Sequence, residues 1–257
     1  MSCAVIIPVY RSCMTPFEKV SLLRLRQLIH DDVYLIAPNG LCLDEYLRLW
    51  PDLRCERFDP RYFASIASYN KLMLSPDLYL RFAAGYEWVL IHQLDAFLFH
   101  ADLSRFCNSS YDYFGAPWIP GQLVHPVFSN PRLLKLFGTR VTVGNGGLSL
   151  RRILPTVDLL TSKRDGADRW SHNEDGFYAY WGIRSKSFRS CPLEVAALFA
   201  FERDPEMLYR LNGQVLPLGC HGLPKYTQEF YTSIINPLLP DIEGVDSELA
   251  CIFDPEL

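Results

Sequence analysis

The stretch from Trp88 to Phe99 constrains the fold more than any other part of this 257-residue chain. It begins with a continuous apolar run, Trp88 to Ile91, which is typical of a strand covered on both faces of a sheet. The polar residues His92, Gln93 and Asp95 follow directly. Because ligands of open α/β sheets bind at the carboxyl ends of the strands, Asp95 is a candidate ligand for a metal or a substrate. A carboxylate that only caps a turn after a core strand explains the same pattern.

Strands and helices alternate through the first part of the chain. The runs 4–9, 33–37 and 53–58 are rich in apolar and β-branched residues and predict three strands. Apolar residues recur with helical spacing over 17–29, and 43–49 predicts a shorter helix. Strand, helix, strand is the signature of a parallel α/β unit. The sequence therefore predicts an α/β fold with a mostly parallel central sheet flanked by helices.

Composition excludes several classes of protein. The chain is 49% hydrophobic and 14% aromatic, which favours a packed globule over disorder. Its net charge of -4 argues against nucleic acid as the main partner. It contains neither a run of about 18 uncharged apolar residues, which a membrane-spanning helix needs, nor a signal peptide. The eight scattered cysteines fit reduced thiols. We therefore predict a cytoplasmic protein, with at most peripheral contact at the inner face of a membrane.

Two further segments place polar or flexible residues beside apolar ones. The helix predicted before the central strand carries Tyr69, Asn70 and Lys71, so that one face can pack while the other meets a ligand. A solvated helix face is an equally good explanation. The segment 143–152 has three glycines around Asn145, which let the backbone approach a ligand or take positive φ angles. A tight hairpin or a bulge is the alternative there.

Acidic and imidazole groups occur again in the second half of the chain. Glu174 and Asp175 precede an aromatic run with helical spacing, although acidic residues at a helix start are favoured by the helix dipole alone. His221 lies on a glycine-flanked loop, where a lone histidine is more often structural than a ligand. The residues from 237 onward predict a tail on the surface.

Five segments occur in an order that is informative as a set: Ile91–Asp95, Tyr113–Trp118, Val143–Arg151, Glu174–Phe177 and Leu216–His221. This ordered set resembles a domain-of-unknown-function family that is grouped with the GT-A glycosyltransferases, and the resemblance covers roughly residues 60–230. It implies a GT-A, Rossmann-like fold in one domain over 1–236. The nucleotide-binding half would span about 1–100 and the acceptor half 101–236, followed by a C-terminal tail over 237–257.

The resemblance also implies a divalent metal, Mn²⁺ or Mg²⁺, on the donor diphosphate. In such enzymes an Asp-x-Asp motif after a central strand holds the metal, and a later histidine often completes its shell. The matching positions are Gln93 and Asp95, with His221 as the later ligand. Gln93 replaces the first aspartate, so the site carries less charge than usual. Its side chain can still offer a carbonyl oxygen or a hydrogen bond to the donor ribose.

The same resemblance assigns the remaining roles. Asp175 is the predicted base, because inversion at the anomeric carbon needs a group that takes the acceptor hydroxyl proton. Glu174 would bind the acceptor or orient its neighbour. We favour inversion, although a retaining enzyme could keep both carboxylates for substrate binding only. The predicted donor contacts are Gln93, Asp95, Tyr69, Asn70, Lys71, Asn145, Gly146 and Gly147.

These features predict a glycosyltransferase that moves a sugar from a nucleotide-diphosphate donor, a UDP-sugar by default, to a glycan or lipid-linked acceptor. Bacterial surface polysaccharide or lipopolysaccharide synthesis is the expected setting. A nucleotidyltransferase is one alternative, but residues 4–12 lack its Gly-rich basic signature. A non-catalytic nucleotide- or glycan-binding module is the other, and Gln93 favours it. The joint presence of four reactive side chains favours an enzyme: Asp95, Glu174, Asp175 and His221.

Overall fold

The computed structural model describes residues 2–223 and 228–250 of the chain, and its strands fall into three sheets. Within these residues the strands are β1 Cys3–Pro8, β2 Asp32–Pro38, β3 Arg54–Phe58, β4 Trp88–His92, β5 Ala96–Leu98, β6 Tyr113–Phe114, β7 Ala116–Val124, β8 Thr139–Gly144, β9 Leu148–Arg152, β10 Ala200–Phe201 and β11 Gly219–His221.

Helices cover the sheets and fill the connections between strands. In the described part of the chain they are α1 Pro16–Leu28, α2 Asp44–Leu49, α3 Ile66–Met73, α4 Pro76–Leu80, α5 Ser104–Cys107, α6 Pro131–Phe137, α7 Ile153–Ser162, α8 Arg164–Asp168, α9 Glu174–Gly182, α10 Leu193–Phe199, α11 Pro205–Leu211, α12 Gln228–Ile235 and α13 Ser247–Ala250. Two 3₁₀ helices, Pro60–Phe63 and Asn236–Asp241, complete the set.

The central sheet has six strands in the order β3-β2-β1-β4-β9-β6. The pairs β3-β2, β2-β1 and β1-β4 are parallel, and the pairs of β9 with β4 and β6 are antiparallel. The predicted α/β fold with a mostly parallel central sheet is therefore confirmed. A second sheet has the order β10-β11-β5, and β7 and β8 form a hairpin.

The two central strands are buried along their whole length. Val5 and Ile6 of β1 and Leu90 and Ile91 of β4 have no exposed surface. Strands covered by helices on both faces need such continuous apolar runs, which is why their positions can be read from the sequence. The first helix is equally well specified, since Thr15 forms a capping box with Glu18 at its start.

The glycine-rich segment 143–152 does not form a hairpin. Strand β8 pairs with β7, whereas β9 pairs with β4 and β6 in the central sheet. Asn145, Gly146 and Gly147 therefore connect two different sheets, and the tight-hairpin alternative is wrong. The single helix predicted before the central strand is two helices, because α3 ends at Met73 and α4 begins at Pro76.

The described part of the predicted C-terminal tail packs against the body of the protein. Leu239 and Ile242 are buried in a cluster that also contains residues of α1. Gln27 of α1 donates a hydrogen bond to the carbonyl of Asp241 at 2.7 Å. Residues 237–250 are thus attached through apolar burial, while 251–257 lie outside the described residues. The division of 1–236 into a nucleotide half and an acceptor half stays a prediction.

Two predictions from composition can be compared with the structure. The seven cysteines in the described ranges are all free, as expected for reduced thiols, and Cys251 lies outside these ranges. Among the helices of residues 2–223 and 228–250, none combines the length and apolar character that crossing a membrane requires.

Candidate functional site

Three polar side chains meet at the carboxyl end of β4. His221 is the last residue of β11, which pairs antiparallel with β5 so that His221 lies opposite Ala96. This register brings Nε2 of His221 to 3.2 Å from Oδ1 of Asp95. The same nitrogen lies 3.3 Å from Oε1 of Gln93. Gln93 and His221, which are 128 positions apart in the chain, are therefore in contact.

The other ring nitrogen of His221 is held by an acid that sequence reasoning missed. Nδ1 lies 3.2 Å from Oε1 of Glu202, and the second oxygen of Glu202 accepts a hydrogen bond from the indole of Trp118 at 3.0 Å. Glu202 directly follows β10, which pairs parallel with β11. The signal that could have found it is a lone acid after an apolar run, the same pattern that singled out Asp95.

The two carboxylates keep His221 charged. Burial disfavours the imidazolium, but hydrogen bonds and Coulomb attraction from Asp95 and Glu202 outweigh it and raise the pKa of His221 to about 9. Burial likewise opposes the charge of Glu202, yet its bonds to His221 and Trp118 hold its pKa below the ordinary value. His221 and Glu202 therefore both stay charged at neutral pH.

Once Nε2 of His221 loses its proton, His221, Asp95 and Gln93 could hold a divalent cation that shares its shell with substrate oxygens. Adjacent ligands of an octahedral ion held at ~2.1 Å lie about 3 Å apart, close to the separations of Nε2 from Asp95 and Gln93. A carboxylate on the far nitrogen is how metal-binding imidazoles are usually oriented, and Glu202 occupies that position. No group of three His, Cys, Asp or Glu residues that could hold a metal occurs among the described residues. A metal would thus depend on Asp95, His221, the Gln93 carbonyl and the diphosphate.

Asp175 lies in the first turn of α9, against the glycine-rich loop. Its Oδ2 accepts a hydrogen bond from the backbone nitrogen of Asn145 at 3.2 Å, and Oδ1 accepts one from Gly176 at 2.7 Å. Burial, together with repulsion from Glu174 and Glu202, raises the pKa of Asp175 to about 7. A carboxylate that exchanges its proton near neutral pH is suited to general base catalysis.

Glu174 faces the protein interior. Its Oε1 forms an ion pair with Nη2 of Arg151 at 3.0 Å, and both side chains are buried. Arg151 also donates to the hydroxyl of Tyr79 at 2.6 Å and lies over the ring of Tyr178 at 4.4 Å. The described contacts of Glu174 therefore hold its carboxylate against Arg151, and its role toward the acceptor or toward Asp175 stays a prediction.

The glycines of the loop leave room for these side chains. A Cβ atom on Gly146 would lie 2.2 Å from Oε1 of Glu174, and one on Gly147 would lie 2.0 Å from Nε2 of His221. Asn145, at a φ of 98°, accepts hydrogen bonds from the nitrogens of Gly147 and Leu148 through its side chain. The immediate reason for the glycines is the close approach of two protein side chains, where the sequence suggested the approach of a ligand.

The predicted donor contacts on α3 divide between two sides of the helix. Tyr69 accepts a hydrogen bond from Gln93 at 3.3 Å, and Asn70 donates one to Asn173 at 3.2 Å, next to the acidic pair. Lys71 is exposed and instead lines a cavity of about 740 Å³ between α3, α4, α7 and α8. The structure brings Tyr69 and Asn70 to the cluster and leaves Lys71 apart from it.

The family of the chain follows from its sequence. Residues 52–221 match the model of a family described as protein of unknown function, DUF5672, over more than half of the chain. The chain belongs to this family. The matched region contains every residue of the site described above, from Tyr69 to His221. Comparison with curated proteins gives no match.

Three solved structures with a similar fold are glycosyltransferases. Mouse xyloside xylosyltransferase 1 superposes with a TM-score of 0.53 at 11% identity, covering 86% of this chain and 98% of that one. The galactosyltransferase LgtC in complex with donor and acceptor sugar analogs gives 0.52 at 11%, covering 95% and 98%. An active-site mutant of LgtC gives 0.52 at 10%, covering 85% and 86%. The chain therefore has the GT-A glycosyltransferase fold.

Proposed function

We propose that this protein is a glycosyltransferase that transfers one sugar from a nucleoside-diphosphate donor to a glycan or lipid-linked acceptor. The observation that carries the proposal is the convergence of Gln93, Asp95 and His221 at the carboxyl end of β4. Asp175 bonds to the glycine-rich loop that contacts this cluster. The fold supports it, because the similar solved structures are glycosyltransferases, one of them bound to donor and acceptor sugar analogs. A UDP-sugar is the first donor to test.

The chemistry requires a positive charge where the sugar leaves the diphosphate. Mn²⁺ or Mg²⁺ held by Asp95 and His221, with the Gln93 carbonyl, would neutralise the charge that develops on the leaving phosphate. Glu202 keeps the His221 ring oriented for this role. Without a metal, the His221 imidazolium could supply the charge, because its pKa of about 9 keeps it protonated at neutral pH.

The acceptor needs a group that removes its proton as the new bond forms. Asp175 is our candidate, since its carboxylate is positioned by the nitrogen of Asn145 and its pKa of about 7 suits proton exchange. A carboxylate base that serves the acceptor directly favours inversion of the anomeric carbon. Tyr69, which bonds to Gln93, and the loop of Asn145, Gly146 and Gly147, which bonds to Asp175 through the nitrogen of Asn145, stay the proposed donor contacts.

The proposal is tested by measuring the melting temperature with UDP, GDP, CDP and dTDP, each with Mn²⁺ or with EDTA. Ligands that bind only the folded state raise the melting temperature by mass action. We expect one nucleotide to raise it, and His221→Ala to remove the part of the shift that depends on Mn²⁺. A shift that is unaffected by EDTA would contradict the metal site and favour the imidazolium. No shift with any nucleotide would contradict a donor site.

A second candidate function is a nucleotide- or glycan-binding module without catalysis. The observation that favours it is Gln93, which provides no charge at a position where GT-A enzymes usually have a carboxylate. Release of free sugar or transfer to any acceptor from a nucleotide-sugar that binds would exclude this candidate. Nucleotide binding with no turnover across a panel of glycan and lipid-linked acceptors would favour it.

A further inference from the structure

The tip of the β7–β8 hairpin, residues 125–138, exposes an apolar surface. Val127 is 74% exposed, Leu136 73%, Phe137 65% and Leu133 40%. Helix α6, every residue of which the structure describes, has no buried residue. The spacing of Leu133, Leu136 and Phe137 places them on one face of α6, and Val127 precedes this helix on the same tip. Such a group differs from isolated exposed apolar residues, which are normal on protein surfaces.

The charge of this hairpin tip is unlike that of the whole chain. Residues 125–140 include Arg132, Lys135 and Arg140 and no acidic residue, although the chain as a whole carries a net charge of -4. Arg132 and Lys135 lie on α6 among the exposed apolar residues. The patch therefore combines apolar side chains with positive charge and would attract an anionic surface locally.

The hairpin tip is attached to the candidate site. The backbone nitrogen of His125 donates to Nε2 of His172 at 3.3 Å, and the His125 ring stacks on Phe128 at 3.8 Å. His172 lies three residues before Asp175. At the start of α6, the side chain of Asn130 accepts a hydrogen bond from the next turn. The tip is thus a structured element. Where it joins strand β7, it contacts the segment that precedes Asp175, the proposed catalytic base.

We propose that the hairpin tip docks on the surface of an anionic lipid membrane. Val127, Leu136 and Phe137 would enter the boundary between headgroups and acyl chains, and the cations of α6 would pair with lipid phosphates, as in interfacial amphipathic helices. A second copy of the chain is a poorer occupant, because self-pairing of the patch would bring like charges together. If the proposed function holds, docking here would present a lipid-linked acceptor near Asp175.

The test is co-sedimentation of the full chain with vesicles of phosphatidylcholine alone or mixed with phosphatidylglycerol. We expect binding to the anionic vesicles only, and weaker binding at high salt. Leu136→Ser with Phe137→Ser should weaken binding at least about tenfold, because the inserted apolar groups are lost. Arg132→Gln with Lys135→Gln should weaken it about fivefold per cation.

The matched control is Leu154→Ser on α7, which removes an apolar side chain that is 63% exposed but lies outside the patch. It should bind vesicles like the unchanged protein, and circular dichroism should be the same for all variants. Binding to neither vesicle type, or an equal loss in the control, would overturn the proposal. Self-association that the Leu136 and Phe137 changes abolish, without vesicle binding, would assign the patch to a second copy. The assay contains no nucleotide, so its result is independent of the proposed reaction.

Discussion

Glu202, which is buried, and Asp175, which is partly buried, are carboxylic acids of the same candidate site, yet their pKa values shift in opposite directions. Burial raises the pKa of both. At Glu202, bonds to His221 and Trp118 outweigh burial and lower the pKa. At Asp175, the charges of Glu174 and Glu202 add to burial and raise the pKa to about 7. The partners of each acid, more than its depth, decide whether it stays charged.

This difference suggests different tasks for the two acids. Glu202 stays charged and can hold His221 in one orientation, while Asp175 can exchange a proton near neutral pH. Pairs of titratable groups whose environments separate their pKa values often mark acid and base roles in enzymes. The different roles of Glu202 and Asp175 can be tested by changing either acid or the charges around it.

The largest expected effect comes from the proposed base. Asp175→Asn keeps the size of the side chain but cannot take a proton, so turnover should fall at least about a hundredfold. Nucleotide binding, measured by thermal shift, should remain near normal. Asp165→Asn on the exposed surface of α8 is the control. Unchanged turnover in the Asp175 variant would remove this residue as the base.

The next effect concerns stability and the fixed charge beside Asp175. Arg151→Met would leave the buried carboxylate of Glu174 without its ion pair, and breaking such a pair costs about 3–5 kcal/mol. Arg152→Met removes the neighbouring arginine, whose ion pair with Glu87 is partly exposed, and should cost less than about 1 kcal/mol. Denaturant unfolding measures both free energies. Equal losses would contradict a buried structural role for Arg151.

A smaller effect is expected from the acid that stays charged. Glu202→Gln should weaken Mn²⁺ binding in the presence of nucleotide by about 10–100-fold, because the His221 ring loses the carboxylate that orients it. Titration calorimetry gives the affinity, and Glu206→Gln, on the exposed side of α11, is the control. If the Glu202 variant binds Mn²⁺ normally, the carboxylate does not act through His221.

The smallest effect is a change in the pH profile. Because the base must be deprotonated, kcat/KM should rise with pH around the Asp175 pKa of about 7 and level off above it. Glu174→Gln removes a neighbouring negative charge, which makes it easier for Asp175 to ionise. The rise should therefore move to lower pH in that variant. A rise that stays in place would mean that Glu174 does not set the protonation of Asp175.

Much of the fold could be predicted because short stretches of sequence determine where its strands and helices lie. The continuous apolar runs of β1 and β4 mark strands that are covered on both faces, and they fall where the sequence placed them. For the glycine-rich segment, the tight-hairpin alternative was wrong. A tight turn and a link between two sheets require the same flexible residues, so the sequence could not distinguish them. Only the pairing of β8 with β7 and of β9 with β4 separates the two.

The sequence by itself placed strands β1 to β4 and helices α1 and α2, and it marked Gln93 and Asp95 at a strand end. The tertiary structure alone decided that Glu202 holds His221, because the register of β10, β11 and β5 sets that contact. It also decided that Arg151 neutralises Glu174 inside the protein. Hydrophobic periodicity reports which face of an element is buried, but it carries no information about which distant polar side chains share a buried site.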